Sequence, residues 1–147
     1  MYGDSAVMRR RAAELRDQAA ELRVISDQLI TQLDAIGWSG RAATSMRTRL
    51  QQRRSELRDV AARHDAAAES MVKHAAEVDL LKEQIAEVEK DHEVALAEAR
   101  TRVARLHNAE EGVRVDPTDD DATLLAFEAP PAGHKAWLEV DLPGVSQ

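Results

Sequence analysis

The 147-residue chain has no cysteine, so disulfides, thiol catalysis and cysteine-ligated zinc are excluded. It has only four aromatic residues, Tyr2, Trp38, Phe127 and Trp137. Deep ligand pockets usually have aromatic walls, so a small-molecule site is not expected. Between residues 5 and 107 there is no proline, and Gly37 and Gly40 are the only glycines. With so few breakers, long uninterrupted helices are expected. No run approaches the roughly 20 apolar residues of a membrane span. What is present is alanine, leucine, valine and charge: 44% of residues are apolar and 32% charged. Such a core without rings fits helices packed closely side by side, one domain or a small domain with an appendage.

The first residues place Arg9, Arg10 and Arg11 ahead of no apolar stretch, so neither a Sec nor a twin-arginine leader is expected. The net charge of −7 is unevenly placed. Residues 1–107 hold 18 basic and 18 acidic side chains, whereas residues 108–147 hold 2 and 9. All four prolines, Pro117, Pro130, Pro131 and Pro143, also fall after residue 107. Composition therefore divides the chain into a segment of residues 1–107 and an acidic, proline-containing tail of residues 108–147.

Met8, Leu15, Leu22, Leu29 and Ile36 recur every seven residues, followed at +4 by Ala12, Ala19, Ser26 and Leu33. This is a heptad seam, and it predicts one amphipathic helix over residues 5–35. Asp4 or Ser5 can cap its start. Gly37, free to take a positive φ, can close it, and Ser39 can cap the next helix. A turn this short, residues 36–40, sends the second helix back antiparallel. That helix is predicted over 41–107. Leu50, Leu57, His64, Met71, Val78, Ile85, His92, Ala99 and Leu106 recur every seven, with Arg53, Val60, Ala67, His74, Leu81, Val88, Ala95 and Arg102 as companions. The fold class expected is therefore all-α: an antiparallel helical hairpin with a long, coiled-coil-like second helix.

The second helix, about 100 Å long, would overhang the first, at about 45 Å, by half its length. It either bends near residues 74–79 or pairs through the overhang with another chain, and the lack of turn residues there favours the overhang. The expected partner seam comprises Leu15, Leu22, Leu29, Leu50, Leu57, Met71, Val78 and Ile85. Val24, Ile25 and Ile30 leave further apolar surface, so a homo- or heterodimer completing a four-helix bundle is expected. In the tail, Val113–Asp116 alternates, and Ala122–Glu128 and Ala136–Leu142 read as short strands. Pro130–Gly133 could separate the latter two in a small β-hairpin, and Asp119, Asp120 and Asp121 favour local disorder, so the tail is expected either to be partly ordered, as a small hairpin or a docked strand, or to be plainly disordered.

Trp38-Ser39-Gly40 stands at the bend between two long amphipathic helices. In this the chain resembles the WXG100 (ESX-type) family of type VII secretion substrates. The resemblance covers about residues 5–90, including the cysteine-free, leaderless start. It implies a small helical hairpin that works as a dimer, a secreted or envelope-associated location, and recognition through Trp38, Ser39 and Gly40. The indole could cover the open end of the helix pair, and glycine allows the tight turn. The chain departs from the family in two ways. The Tyr-x-x-x-Asp/Glu export motif is missing, since the only tyrosine, Tyr2, has Ala6 at +4, and the chain runs past the usual length. The high arginine-to-lysine ratio, 16 to 4, suits a GC-rich, actinobacterial genome.

Other signals are weaker. Residues 41–63 hold seven arginines against Glu56 and Asp59, and residues 69–98 hold three lysines against nine acids. Phosphate contacts through the arginines would suit nucleic acid, but no aromatic interleaves them and the chain is acidic. A charge match to a partner helix or to the tail is the better reading. His64, His74 and His92 on the seam read as tolerated polar positions, with pH-dependent pairing as the alternative. Glu89-x-x-His92 is half of a di-iron helix motif without its second half, so no metal or cofactor is expected. With no phosphate loop and no nucleophile elbow, no enzyme is expected. The alternative to a secretion role is a cytoplasmic coiled-coil adaptor unrelated to secretion.

Overall fold

The structure is a computed structural model and describes residues 4–109 and 118–145. It is all-α, with 84% of the described residues helical and no strand among them. The elements are α1 (Ser5–Ala35), α2 (Arg41–Ala109), α3 (Asp119–Ala126) and a 3₁₀ turn, η1 (Lys135–Glu139). Contacts divide the chain into two compact units, one within Gly3–Val78 and one within Asp79–Gln147. The division falls inside α2 and away from the composition break at residue 108.

In the first unit, α1 begins at Asp4, whose carboxylate accepts hydrogen bonds from the N–H groups of Ala6 and Val7 at 2.9 and 3.4 Å. Each satisfies an orphan donor of the first turn. The helix ends where Gly37 takes φ +63° and its N–H bonds to Asp34 O at 3.4 Å, as in a left-handed C-terminal cap. Gly40, at φ +100°, precedes α2, and its carbonyl accepts from the N–H of Thr44 at 3.0 Å. Gly40, rather than Ser39, thus holds the cap position, because only glycine takes that φ without strain.

The buried residues of α1 are Ser5, Ala12, Ala19, Ser26 and Leu33, at seven-residue spacing. In α2 the matching set is Ala43, Ala61, Ala68 and Ala75. The companions of Leu50, Leu57 and His64 are therefore at +4 (Arg54, Ala61, Ala68), whereas the expected Val60 is partly exposed. Alanine prevails at these positions because small side chains let two helix backbones approach closely.

In the second unit the register changes. Ile85, Val88, Ala95 and Ala99 of α2 are buried together with Leu124, Trp137, Val140 and Leu142 of the tail. Here the expected +3 companions are the buried ones. The tail is neither disordered at Asp119–Asp121 nor a β-hairpin over 122–128 and 136–142. Thr118 accepts from the N–H of Asp121 at 3.2 Å, and the three aspartates form the first turn of α3. Carboxylates there complement the positive end of the helix. Ala136–Leu142 falls largely in η1, capped by His134 Nδ1 accepting from Ala136 N–H at 3.2 Å. The alternating stretch Val113–Asp116 lies outside the described residues.

Candidate protein-interaction surface

Ion pairs cross between α1 and α2 in the first unit. Arg23 meets Asp65, Asp27 meets Arg58 at 2.7 Å and Arg54 at 2.9 Å, and Asp34 meets Arg47 at 3.8 Å. Later residues of α1 pair with earlier residues of α2. By this register Ala12, Ala19 and Ser26 fall level with Ala75, Ala68 and Ala61. The two arginines hold the Asp27 carboxyl below the ordinary carboxylate range, mainly through their hydrogen bonds. Three of the seven arginines of residues 41–63 are thus taken up by acids of α1. Surface pairs of this kind set register more than they add stability.

At 100° per residue, Arg23, Asp27 and Asp34 occupy one flank of the buried small stripe of α1, and Arg58 and Asp65 one flank of that of α2, where Arg47 and Arg54 continue the stripe itself. Leu15, Leu22 and Leu29 lie on the other flank of α1, and Leu50, Leu57 and Met71 on the other flank of α2. All six are only half-buried. Apart from Leu33, the stripe that is fully inside is made of small side chains, and these larger apolar ones along its edge stay partly open to solvent, as in a helix pair that has a further surface to cover. Ile25, Met46 and Val60 extend this face and are more exposed still. Of the two remaining seam residues, Val78 is buried and Ile85 is covered by the chain's own tail.

The turn adds a second exposed feature. Ile36 is 68% exposed and Trp38 51%. The indole does not close off the helix pair. It stands half in solvent between two glycines held at positive φ.

In the second unit His92 is buried between Phe127 and Trp137, with ring centroids 5.4 and 5.2 Å away. Its Nε2 is buried without a hydrogen-bond partner. Glu89 Oε1 accepts the N–H of Gly133 at 2.5 Å, and Trp137 Nε1–H donates to Pro131 O at 3.2 Å. Glu89 and His92 therefore both serve to hold the tail. Arg102 grips Asp121 through Nη2 at 2.6 Å and Nε at 3.1 Å. The hydrogen bond from Arg102 is the main cause that lowers the Asp121 pKa, and Asp121 in turn raises that of Arg102. The sequence reading missed this docking. Its signal was a threonine followed by three aspartates and an apolar run, a helix start read as a disordered one.

The seam histidines separate accordingly. His92 is enclosed, His64 Nδ1 lies 3.1 Å from Val60 O, and His74 is exposed with Glu77 3.7 Å away. Among the described residues no group of His, Asp and Glu is arranged to hold a metal, and no helix is long and apolar enough to cross a membrane. The clefts beside Glu98 and Arg102, about 370 and 430 Å³, are open and lack aromatic walls.

Comparison with family models, curated proteins and solved structures finds no match.

Proposed function

We propose that the chain is a non-enzymatic helical interaction protein of the WXG100 kind, exported by or acting in type VII secretion. In this reading α1 and α2 up to Val78 form an antiparallel, coiled-coil-like hairpin. Its half-buried leucine face docks on a partner, homo- or heterodimeric, to complete a four-helix bundle. The observation that carries the reading is the exposed Trp38 at a two-glycine bend between long heptad helices. A side chain with that much apolar area in solvent is suited to recognition.

The test is export. Tagged protein is expressed in its host with and without the type VII motor ATPase, and culture filtrate is compared with lysate. Motor-dependent filtrate protein is expected. Trp38→Ala should abolish it while leaving helicity and thermal stability nearly unchanged, because the ring is half in solvent. Protein confined to the lysate in both strains would sink the export role. It would favour the second reading, a cytoplasmic coiled-coil adaptor, which uses the same leucine face. Nucleic acid is the weakest reading, since Arg47, Arg54 and Arg58 face acids of α1.

A further inference from the structure

We propose that the tail is a displaceable strap over the second half of α2. What it covers is the docking seam for a heptad helix with basic flanks from another protein. The inference concerns a different stretch from the leucine face and stands or falls separately from export.

The first argument is periodicity. Val78, Ile85, His92 and Ala99 keep the seven-residue repeat of Leu50, Leu57, His64 and Met71, in one unbroken helix. A helical partner imposes such a repeat. An irregular strap of one short helix, a 3₁₀ turn and the prolines Pro130, Pro131 and Pro143 does not. The seam is more regular than its present cover requires.

The second argument is an unmet polar group. His92 is 5% exposed, and the strap gives its Nε2 two aromatic rings but no hydrogen-bond partner. A settled core rarely leaves such an atom unpaired. A polar residue at a heptad seam position is instead a known device for fixing the register of a helical partner, whose facing side chain satisfies it.

The third argument is charge. At 100° per residue the flanks of this seam carry Glu89, Asp91 and Glu98 against Lys82. Flanks of that sign select a basic partner helix and repel a second copy of the same stretch.

Arg102 to Asp121 and Glu89 to Gly133 fasten the strap to α2 by polar contacts. It can also be locked shut. A Cβ built on Gly144 lies 3.9 Å from Ala95 Cβ, within disulfide range. In a cysteine-free chain the double variant Ala95→Cys with Gly144→Cys forms one defined bridge. Its reduced form controls for the strain at Gly144, whose φ is +80°.

The probe is a labelled synthetic peptide with the sequence of residues 41–63, basic and with Leu50 and Leu57 at heptad spacing. Its affinity for the full chain is read by anisotropy, and the strap by fluorine NMR of fluorotryptophan at Trp137. Asp121→Asn should tighten binding about tenfold, and binding should shift the Trp137 resonance. The oxidised double variant should not bind, and reduction should restore binding. Equal binding by the oxidised and reduced forms would overturn the proposal. So would equal binding of a version with glutamates for arginines, or no binding by any form of the chain. Self-association of Asp121→Asn beyond that of the unaltered chain, without peptide, would assign the seam to a second copy and likewise overturn it. If Asp121→Asn fails to fold, the oxidised-against-reduced comparison decides alone.

Discussion

Asp121 is 2% exposed, yet it is charged, because Arg102 reaches it with two nitrogens and Thr118 fixes its backbone. A buried carboxylate is tolerable only when so satisfied. Its folded pKa is lowered, first by the hydrogen bond from Arg102. The ordinary carboxyl value is about 3.9. Docking of the tail therefore gains from this group at every pH above that value and loses the gain as pH falls through the lower folded value. Between pH 7 and 5 the Trp137 signal should not change on this account, and below about pH 4 it should move toward solvent. Asp121→Asn should start from weaker docking at neutral pH and show no further loss from this site in acid. The readout must be local to Trp137, because Asp27 has the same sign of shift and weakens the α1–α2 pairing over the same range. An unchanged acid transition in Asp121→Asn would show that the clasp is not the titrating element.

At the level of elements, the α1–α2 pair depends on small residues. Ala19 and Ala68 are wholly buried, and the ion-pair register sets them level. Ala68→Leu should push the helices apart and cost about 1–3 kcal/mol in thermal or denaturant unfolding, as overpacking does. Ala67→Leu, one residue away on exposed surface, should be near neutral. Equal effects would mean that the pair is not closely packed there. The long helices were legible in the sequence almost to the residue, because breakers are absent and the heptads are regular: α1 ends at Ala35, and α2 starts at Arg41. The companion register of the first half of α2 was not. Heptads give two neighbours of each seam residue, at +3 and +4, and only the packing partner chooses between them. The tail was misread for a related reason. In Ala122–Glu128 and Ala136–Leu142, short apolar runs fit strand and helix templates alike. The cluster that decided for helix, which buries Leu124 and Trp137 together with Ile85, Val88 and Ala99, joins residues distant in sequence.

For the whole molecule, charge and apolar surface are divided between the two units. Residues 1–78 hold 13 basic and 11 acidic side chains, and residues 79–147 hold 7 and 16. The half-buried leucines belong to the first, while the second covers its own seam. If association runs through the leucine face, it should be apolar in origin and insensitive to salt, because on α1 the ion pairs lie on the opposite flank. Sedimentation equilibrium at micromolar concentration should give a dimer, alone or with a related partner chain, at both low and high salt. Leu22→Glu with Leu57→Glu should give monomer with helicity retained, since neither residue is fully inside its own unit. Val24→Glu, exposed on a different side of α1, should leave the dimer intact. A chain monomeric under all these conditions, with no partner recovered by co-expression, would remove the bundle. The outward leucines would then be ordinary surface of a two-helix unit. A dimer that survives the double substitution but dissolves in salt would place the interface on charge, at arginines of α2 other than Arg47, Arg54 and Arg58.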